Sequence, residues 1–390
     1  MLTDLAVALA AQGHEVSVVT SRQLLENPGA ALPAQETRQG VRIRRLRTTT
    51  FGRQRLLTRA FDYLSFYVSA LFRLLVELRR GDTVIAKTDP PLIGVIAALA
   101  AKLKGARLIN WLQDVYPEIA FRLGALRPDG LIARLLLALR NWSLRRAAAN
   151  VAVGERMKTF LEKNIPDCAP VSVIHNWSRA LPTTAVPGDD NPYRQQLGLR
   201  GKVVFCYSGN LGRVHEFGTI VEAAAQLRER EDIHFLIIGG GAQTQAVQNE
   251  VRRRGLASWS FLPYQPREKL AESLGAADVH LISLKPELEG LVVPSKLYGV
   301  LAAGRPILYI GDREGEVGRI LRQRCCGLTC AAGAAQQLAT LMRQLADSGS
   351  ERQRLGANAA LAHQHYHDSV AIQAAWRSVL DTDAKRNQSS

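Results

Sequence analysis

The sequence predicts an α/β protein with two doubly wound domains that face a cleft. Its 390 residues exceed what one hydrophobic core usually serves, and 47% apolar with 22% charged residues is ordinary for a globular protein. Strand and helix patterns alternate in two series, which are separated by a stretch rich in Pro, Gly and Asp at residues 181–200. We predict domains over residues 1–182 and 201–366, a linker over 183–200, and a terminal helix and tail over 367–390.

The first series starts with a helix pattern at residues 2–12, followed by a strand pattern at 15–20. Further strands are predicted at 83–86, 107–112 and 150–153, with a helix at 91–104. Doubly wound domains normally begin with a strand whose glycine-rich turn approaches the ligand. We therefore expect this first strand and turn to be missing, and a truncated, inactive protein is one interpretation.

The second series alternates more regularly. Its predicted strands are residues 203–207, 234–238, 260–262, 279–284 and 307–310. Its predicted helices are residues 218–228, a segment from the glycine turn at 239–241 to about 254, 267–274 and 295–303. A last helix at 369–380 is expected to pack back across the first domain.

The net charge of +15 is uneven, because residues 1–185 hold 26 Lys and Arg against 14 Asp and Glu. Such an excess favours an anionic partner, which could be nucleic acid, an acidic membrane surface or a phosphorylated substrate. No apolar run approaches the roughly 20 residues that span a bilayer. Met1 leads into the first helix pattern without a basic leader or cleavage site, so we expect a cytoplasmic protein.

The strongest local pattern is PSKLYGVLAAGRP at residues 294–306. Pro294 suits the first turn of a helix, and the free amides and dipole of a helix start attract phosphate. Ser295 and Lys296 add a hydroxyl and a cation at that end. The same residues also fit an ordinary helix start with a solvated lysine.

A second pattern, SGNLGRVH at residues 208–215, follows a strand and precedes a helix. Gly209 and Gly212 let the backbone approach an anion closely, and Arg213 can grip a diphosphate with a forked pair of donors. Because two such turns occur in one series, we predict a nucleotide-diphosphate site where they meet.

The chain resembles the family 4 glycosyltransferases of the GT-B fold, and more narrowly the branch that builds bacterial O-antigen, capsule and colanic-acid polysaccharides. In the second half the similar segments are YSGNLGR, FLIIGGGA, SFLPYQPREKL, AADVHLISL and VVPSKLYGVLAAGRPILYIGD. In the first half they are WLQDVYPEIAFRLGAL and VIHNWSR. The resemblance covers nearly the whole chain. It implies two Rossmann-like domains and transfer of a sugar from a nucleotide sugar.

The resemblance also implies a donor site in the second half. The diphosphate would contact the backbone at 209–212, the base would lie near the glycine turn, and the donor sugar would lie beside Glu289. Lys296, Arg213 and Glu289 are the catalytic candidates on this side. The implied donor-binding residues are Gly209, Asn210, Gly212, Arg213, Gly239, Gly240, Leu262, Tyr264, Glu287, Glu289, Gly290, Pro294, Ser295 and Lys296.

Two departures from the family pattern affect these assignments. Many members carry a glutamate pair at positions that are Leu291 and Gly299 here, so Glu287 and Glu289 are substitutes in a shifted register. The common Arg and Lys of the first loop fall on Asn210 and His215. We therefore give Arg213 more weight than either of these two residues.

On the acceptor side, Gln113 and Asp114 follow a predicted strand, and Asp89 lies in a similar strand-end turn. Asp114 is a catalytic candidate that could orient the acceptor hydroxyl or take up its proton. The alternatives are that Asp114 caps a following helix, with Trp111 and Tyr116 as core residues, and that Asp89 serves only the turn.

Charge stabilisation of the departing diphosphate can supply most of the catalysis. The chain has no metal-ligand cluster and no Asp-x-Asp motif of the kind that bridges a metal to a sugar nucleotide. We therefore expect neither metal nor cofactor, with a UDP-sugar or GDP-sugar as donor substrate. The resemblance implies retention at the anomeric carbon.

Residues 61–80 predict a helix that is apolar except for one narrow stripe of polar side chains, which suits burial or a membrane interface. The stripe consists of Asp62, Ser65, Ser69, Arg73, Glu77 and Arg80. Arginines crowd the preceding stretch: Arg38, Arg42, Arg44, Arg45, Arg47, Arg53, Arg55 and Arg59. We favour peripheral docking on the anionic inner face of the cytoplasmic membrane, where a polyprenyl-diphosphate-linked glycan is the acceptor.

Two other functions fit parts of the sequence. A sugar-nucleotide epimerase of the same fold would use a similar diphosphate site, but it needs more acid/base carboxylates than are visible here. A nucleic-acid-binding protein would explain the charge, yet aromatic residues make up only 6% and no recognition motif is present. We therefore expect no nucleic-acid partner.

Overall fold

The computed structural model describes residues 1–23, 32–49, 51, 56–178, 188–364 and 369–386. The elements of the first half are α1 (Leu2–Ala11), β1 (Val16–Ser21), β2 (Gln35–Arg38), β3 (Val41–Leu46), α2 (Leu56–Glu77), β4 (Thr83–Lys87), α3 (Ile93–Lys104), β5 (Arg107–Leu112), α4 (Glu118–Arg122), α5 (Leu131–Arg146), β6 (Ala149–Ala152), α6 (Glu155–Asn164) and β7 (Val171–Val173).

The first half contains two sheets. Strands β4, β5, β6 and β7 form a parallel sheet in chain order. Strands β1, β3 and β2 form the other sheet, in which β1 runs parallel and β2 antiparallel to β3. Helices α2, α3 and α5 lie side by side, with α3 in the middle and packed on β4 and β5. This layer covers one face of the first half.

The sequence predictions missed β2 and β3, because arginines dominate this stretch. In β3, Arg45 pairs with Glu36 at 2.7 Å and Arg44 with Glu77 at 3.3 Å, while Arg42 pairs with Glu15. Each arginine of this strand therefore has a carboxylate partner, which allows so basic a segment to lie in a sheet. Arg53 and Arg55 lie outside the described residues.

The second half begins at the described part of the predicted linker, residues 188–200. Its elements are α7 (Pro192–Gln196), β8 (Val203–Asn210), α8 (Gly218–Ala225), β9 (Ile233–Gly240), α9 (Thr244–Arg253), β10 (Trp259–Leu262), α10 (Leu270–Gly275), β11 (Val279–Ser283), α11 (Lys296–Ala302), β12 (Ile307–Ile310), α12 (Glu316–Arg324), β13 (Gly327–Cys330), α13 (Ala335–Asp347), α14 (Gly349–Ala362) and α15 (Ser369–Arg386). Tyr193 and Leu199 are buried in a cluster with Val204 of β8, so residues 188–200 are built into this half.

All six strands of the second half form one parallel sheet in the order β10-β9-β8-β11-β12-β13. The chain moves outward from β8 to β10, returns to the centre at β11 and moves outward again in the other direction. The doubly wound α/β fold predicted from the sequence is therefore confirmed. The order reverses between β8 and β11, and ligands of such sheets bind at this reversal.

The terminal helix α15 packs on the first half, as predicted. The ring of its Trp376 meets Trp111 of β5 edge-on with centroids 4.9 Å apart, and Trp111 stacks on Trp177 at 5.6 Å. All three rings are buried in one apolar core that also includes Ile282 of β11. This core joins the two halves. Within the described ranges, no helix combines the length and apolarity needed to cross a bilayer.

Trp376→Ala should lower the free energy of unfolding by about 3–5 kcal/mol, because it removes a fully buried aromatic ring from this shared core. Chemical denaturation followed by far-UV circular dichroism would measure the change. Val370→Ala on the same helix is the control, since Val370 is exposed and its loss should cost less than about 0.5 kcal/mol. Equal effects of the two substitutions would contradict the proposed packing of α15.

Candidate functional site

The crevice of the second sheet opens between β8 and β11. Strand β8 pairs with β11 only at Phe205 and Cys206, whereas its pairing with β9 continues to Asn210. The carboxyl end of β8 therefore follows β9 and leaves space beside β11. The residues that follow these strand ends line this space.

Glycines allow the ends of β8 and β9 to approach each other. Gly209 and Gly239 are register partners with φ angles of +123° and +133°. A Cβ at Gly239 would lie 2.2 Å from the carbonyl oxygen of Gly209, so no larger residue fits there without a shift of the backbone. Both glycines were predicted to serve a ligand, and the structure adds that Gly239 is required for the sheet edge itself.

Lys296 of α11 lies over this edge. Its Nζ donates to the hydroxyl of Tyr207 at 2.5 Å, lies 3.1 Å from His215 Nε2 and sits 4.1 Å from the centroid of the Tyr207 ring. A Cβ at Gly209 would lie 3.5 Å from Lys296 Cε. No carboxylate of the described residues forms an ion pair with Lys296, so its charge is uncompensated within that part of the chain.

Burial sets the protonation of this group of side chains. It lowers the pKa of Lys296 to about 7. Burial and then the charge of Lys296 lower the pKa of His215 to about 3, so His215 is neutral at physiological pH. Nδ1 of His215 lies 2.5 Å from the carbonyl oxygen of Ser283, which assigns the proton to Nδ1 and leaves Nε2 to accept from Lys296.

A glutamine holds the loop that follows β8. Gln243 Nε2 donates to the carbonyl oxygens of Gly212 at 2.6 Å and His215 at 3.0 Å, and the Gln243 amide donates to Leu211 at 3.0 Å. The loop that carries His215 is thereby fixed to the start of α9. Sequence reasoning missed Gln243 because the residue lies in another segment, with no motif of its own.

The predicted donor residues divide into two groups. Tyr264 lies against Gly240, where its hydroxyl donates to the Gly240 carbonyl at 2.8 Å, and Leu262 ends the neighbouring strand β10. Pro294 is buried at the start of α11. Three predicted residues instead have exposed side chains: Asn210, Arg213 and Ser295.

The contacts around Lys296 involve His215 rather than Arg213, and a role of Arg213 at the diphosphate stays a prediction. His215 touches Lys296, whereas Arg213 is exposed two residues earlier. Tyr207 was also missed, although it stands directly before the SGNLGR pattern. A tyrosine at a strand end next to a glycine turn was the available signal for it.

The two substitute glutamates lie apart from this cluster of contacts. Glu287 is exposed on a 3₁₀ turn, Pro286–Leu288. Glu289 accepts from the Glu316 amide at 2.6 Å at the start of α12, and burial, together with Asp312 and Glu316, raises its pKa. The role of Glu289 beside a donor sugar stays a prediction.

On the acceptor side, Asp89 and Asp114 follow the neighbouring strands β4 and β5. Burial and the negative charge of Asp89 raise the pKa of Asp114 to about 6, against the opposing effect of Lys87. Gln113 accepts from Asn176 Nδ2 at 2.9 Å, and its amide donates to Thr88 Oγ1 at 2.7 Å. The alternative that Asp114 caps a helix is wrong, because α4 begins at Glu118 without a side-chain cap.

The backbone at Asp114 pairs directly with the second half. Asp114 forms an antiparallel bridge with Val292, and the amide of Val115 donates to the Leu291 carbonyl at 2.8 Å. Val292 lies four residues before Lys296. The sequence predicted these two sites separately, and the structure brings their backbones together between the halves.

The described residues contain no group of three or more His, Cys, Asp or Glu side chains that could hold a metal ion.

Comparison with known proteins agrees with this geometry. Residues 1–177 match the family described as glycosyl transferase 4-like domain, and residues 189–362 match glycosyl transferases group 1. The probable glycosyltransferase WbjE of Pseudomonas aeruginosa is 29% identical over 76% of this chain and 74% of its own length. The solved structure of Anabaena Alr3699/HepE with UDP and glucose covers 98% of this chain and 95% of its own, with a TM-score of 0.72 and 16% identity.

The putative colanic acid biosynthesis glycosyl transferase WcaI of Escherichia coli (strain K12) is 30% identical over 80% of this chain and 79% of its own length. The likeness thus extends across both halves. The chain belongs to the family 4 glycosyltransferases of the GT-B fold.

Proposed function

We propose that this enzyme transfers a sugar from a UDP-sugar or GDP-sugar to a lipid-linked glycan acceptor in the synthesis of a bacterial cell-surface polysaccharide. The observation that carries the proposal is Lys296, a partly buried cation without a carboxylate partner among the described residues. A polyanionic ligand would supply the missing charge. The name of WbjE supports glycosyl transfer, the name of WcaI supports the pathway class, and the UDP bound to HepE supports the donor class.

Transfer breaks the bond between the anomeric carbon of the sugar and the diphosphate, and negative charge develops on the leaving oxygen. A cation fixed in a partly buried site stabilises that charge without reorganising at the moment of reaction. Tyr207 and His215 hold Lys296 Nζ from two directions, so the ammonium group is positioned before the donor arrives. We propose that the reaction retains the anomeric configuration and needs no metal or cofactor.

Asp114 is proposed to act on the acceptor. A carboxylate with a pKa of about 6 is ionised at neutral pH and can still take up a proton from an attacking hydroxyl. The new bond joins the acceptor oxygen to the anomeric carbon, and the hydroxyl proton passes to Asp114. Asp89 and Gln113 would contact the acceptor beside it. A lipid-linked acceptor requires the enzyme to work at the inner face of the cytoplasmic membrane.

Lys296→Ala should reduce sugar transfer by about 100- to 1000-fold, because it removes the charge that stabilises the leaving diphosphate. Glu287→Ala should cost less than about tenfold, since Glu287 is exposed and forms no ion pair with Lys296. Lys202→Ala, at the amino end of β8, is the matched lysine control and should retain activity. Initial rates with a radiolabelled nucleotide sugar and membrane extract as acceptor give the ranking, and the opposite order for Lys296 and Glu287 would refute the assignment.

Binding of UDP-glucose should take up as much as one proton at pH 8 and almost none at pH 6. The pKa of Lys296 is about 7 without ligand, and the negative diphosphate favours the charged ammonium, so the pKa rises on binding. Affinity should therefore fall as the pH rises above about 7. Calorimetry in two buffers with different ionisation enthalpies counts the protons. Uptake that persists in Lys296→Met would assign the proton to another group.

With the nucleotide sugar saturating, so that Lys296 stays protonated in the complex, the kcat/KM for the acceptor should rise with pH up to about 6 and then level, because Asp114 must be ionised to accept a proton. Asp89→Asn removes a charge that raises the pKa of Asp114, so the rising limb should move to lower pH. Lys87→Met removes an opposing charge and should move it to higher pH. If the rising part of the pH profile of kcat/KM is unchanged in both variants, Asp114 is excluded as the titrating group.

A further inference from the structure

Helix α2 presents its apolar side to solvent and its polar stripe to the protein. Asp62 accepts from the Thr49 hydroxyl at 2.7 Å, Arg73 pairs with Glu77 at 2.5 Å, and Glu77 also pairs with Arg44. The stripe predicted from the sequence therefore faces inward. The exposed apolar side chains of α2 recur at helical spacing on the opposite side: Phe61, Leu64, Val68, Phe72 and Val76.

The exposed apolar surface continues across the neighbouring helices. Leu99 and Leu103 are exposed on α3, which packs between α2 and α5. On α5 the exposed apolar residues are Leu131, Ile132, Leu135 and Leu139. Exposure reaches 78% for Val76 on α2 and 83% for Leu131 on α5, so these side chains lack a protein neighbour over most of their surface. We call the outward sides of α2, α3 and α5 the docking face.

The charges of the docking face have one sign. Helices α3 and α5 contain no Asp or Glu, and they carry the exposed cations Lys102, Arg134 and Arg146. The two acidic residues of α2 are Asp62 and Glu77, whose carboxylates engage partners on the inner side. The basic character therefore comes from α3 and α5 rather than from the arginines of β3, which are paired with carboxylates.

We propose that the docking face inserts shallowly into an anionic lipid bilayer. Apolar side chains flanked by cations match a surface of acyl chains beneath anionic headgroups. A large exposed apolar patch is uncommon in a protein that stays monomeric and surrounded by water. The absence of exposed carboxylates on these helices distinguishes an anionic partner from a neutral or basic one.

The docking face is linked to the acceptor side through two of its helices. A pocket below Asp114 is lined by Gly94 and Val95 of α3 and by Arg140 and Ser143 of α5. The same helices thus carry the exposed apolar surface outside and the pocket inside. Since a lipid-linked acceptor stays anchored in the bilayer, docking through α3 and α5 brings its sugar to the Asp114 side. This step rests on the proposed function, whereas bilayer binding does not.

Vesicle flotation tests the proposal with the full chain. The wild-type protein should float with vesicles containing phosphatidylglycerol and much less with pure phosphatidylcholine. Phe72→Ser/Val76→Ser/Leu131→Ser/Leu135→Ser should reduce the partition coefficient at least about tenfold, because four exposed apolar side chains are lost. The matched control is Leu361→Ser/Val370→Ser, which changes apolar residues that are 51% and 69% exposed elsewhere and should float like wild type.

Lys102→Glu/Arg134→Glu should remove the preference for anionic vesicles. Thermal shift with UDP and with GDP, measured on every variant, reports folding and donor binding independently. A wild-type protein that binds UDP but not anionic vesicles would overturn the docking face and leave the proposed function standing. Flotation without binding of either UDP or GDP would support the docking face and overturn the proposed function. A dimer in light scattering that the quadruple variant dissociates, without vesicle binding, would assign the face to a second copy of the chain.

Discussion

The site depends on one partly buried ammonium group. Lys296 is held by Tyr207 and His215, which accept its hydrogen bonds but carry no negative charge. Burial raises the pKa of Tyr207, so its hydroxyl stays neutral and cannot balance the lysine. Burial and the charge of Lys296 lower the pKa of His215, so His215 adds no second positive charge. In the free protein, burial therefore makes the charged form of Lys296 unfavourable. A bound anion supplies the missing negative charge, and this couples ligand binding to the protonation of Lys296.

This arrangement requires close backbone contacts that only certain residues allow. The Gly209–Gly239 approach brings the ends of β8 and β9 under Lys296. Gly290, with φ of +78°, permits the turn where the second half meets the Arg156 carbonyl, and a Cβ there would lie 3.2 Å from that oxygen. The bridge between Asp114 and Val292 then joins the segment after β5 to the segment before α11. Leu291 and Val293, on either side of Val292, are buried in the same apolar core as Trp376.

Most of the parallel architecture could be predicted from the sequence, because buried parallel strands read as short apolar runs between glycine turns. Strands β2 and β3 could not, since the carboxylate partners of the β3 arginines lie on other segments, as distant as Glu77. In the site, the helix start at Lys296 and the glycine turns were predictable from local patterns. The partnership of Lys296 with Tyr207 and His215 was not, because the three residues lie on three segments and no spacing rule connects them.

Helix α2 illustrates a different limit of sequence patterns. Helical periodicity distinguishes a polar side from an apolar side, but it does not say which side faces the protein. Here the polar stripe borders β3 and the loop that follows it. Asp62 accepts hydrogen bonds from the Thr49 hydroxyl and the Phe51 amide of the loop, and Glu77 pairs with Arg44 of β3. The inward orientation therefore satisfies these polar groups, while the outward side stays apolar. Such a helix is stable on the protein because its polar contacts hold it, and its exposed side is left free to enter a membrane interface.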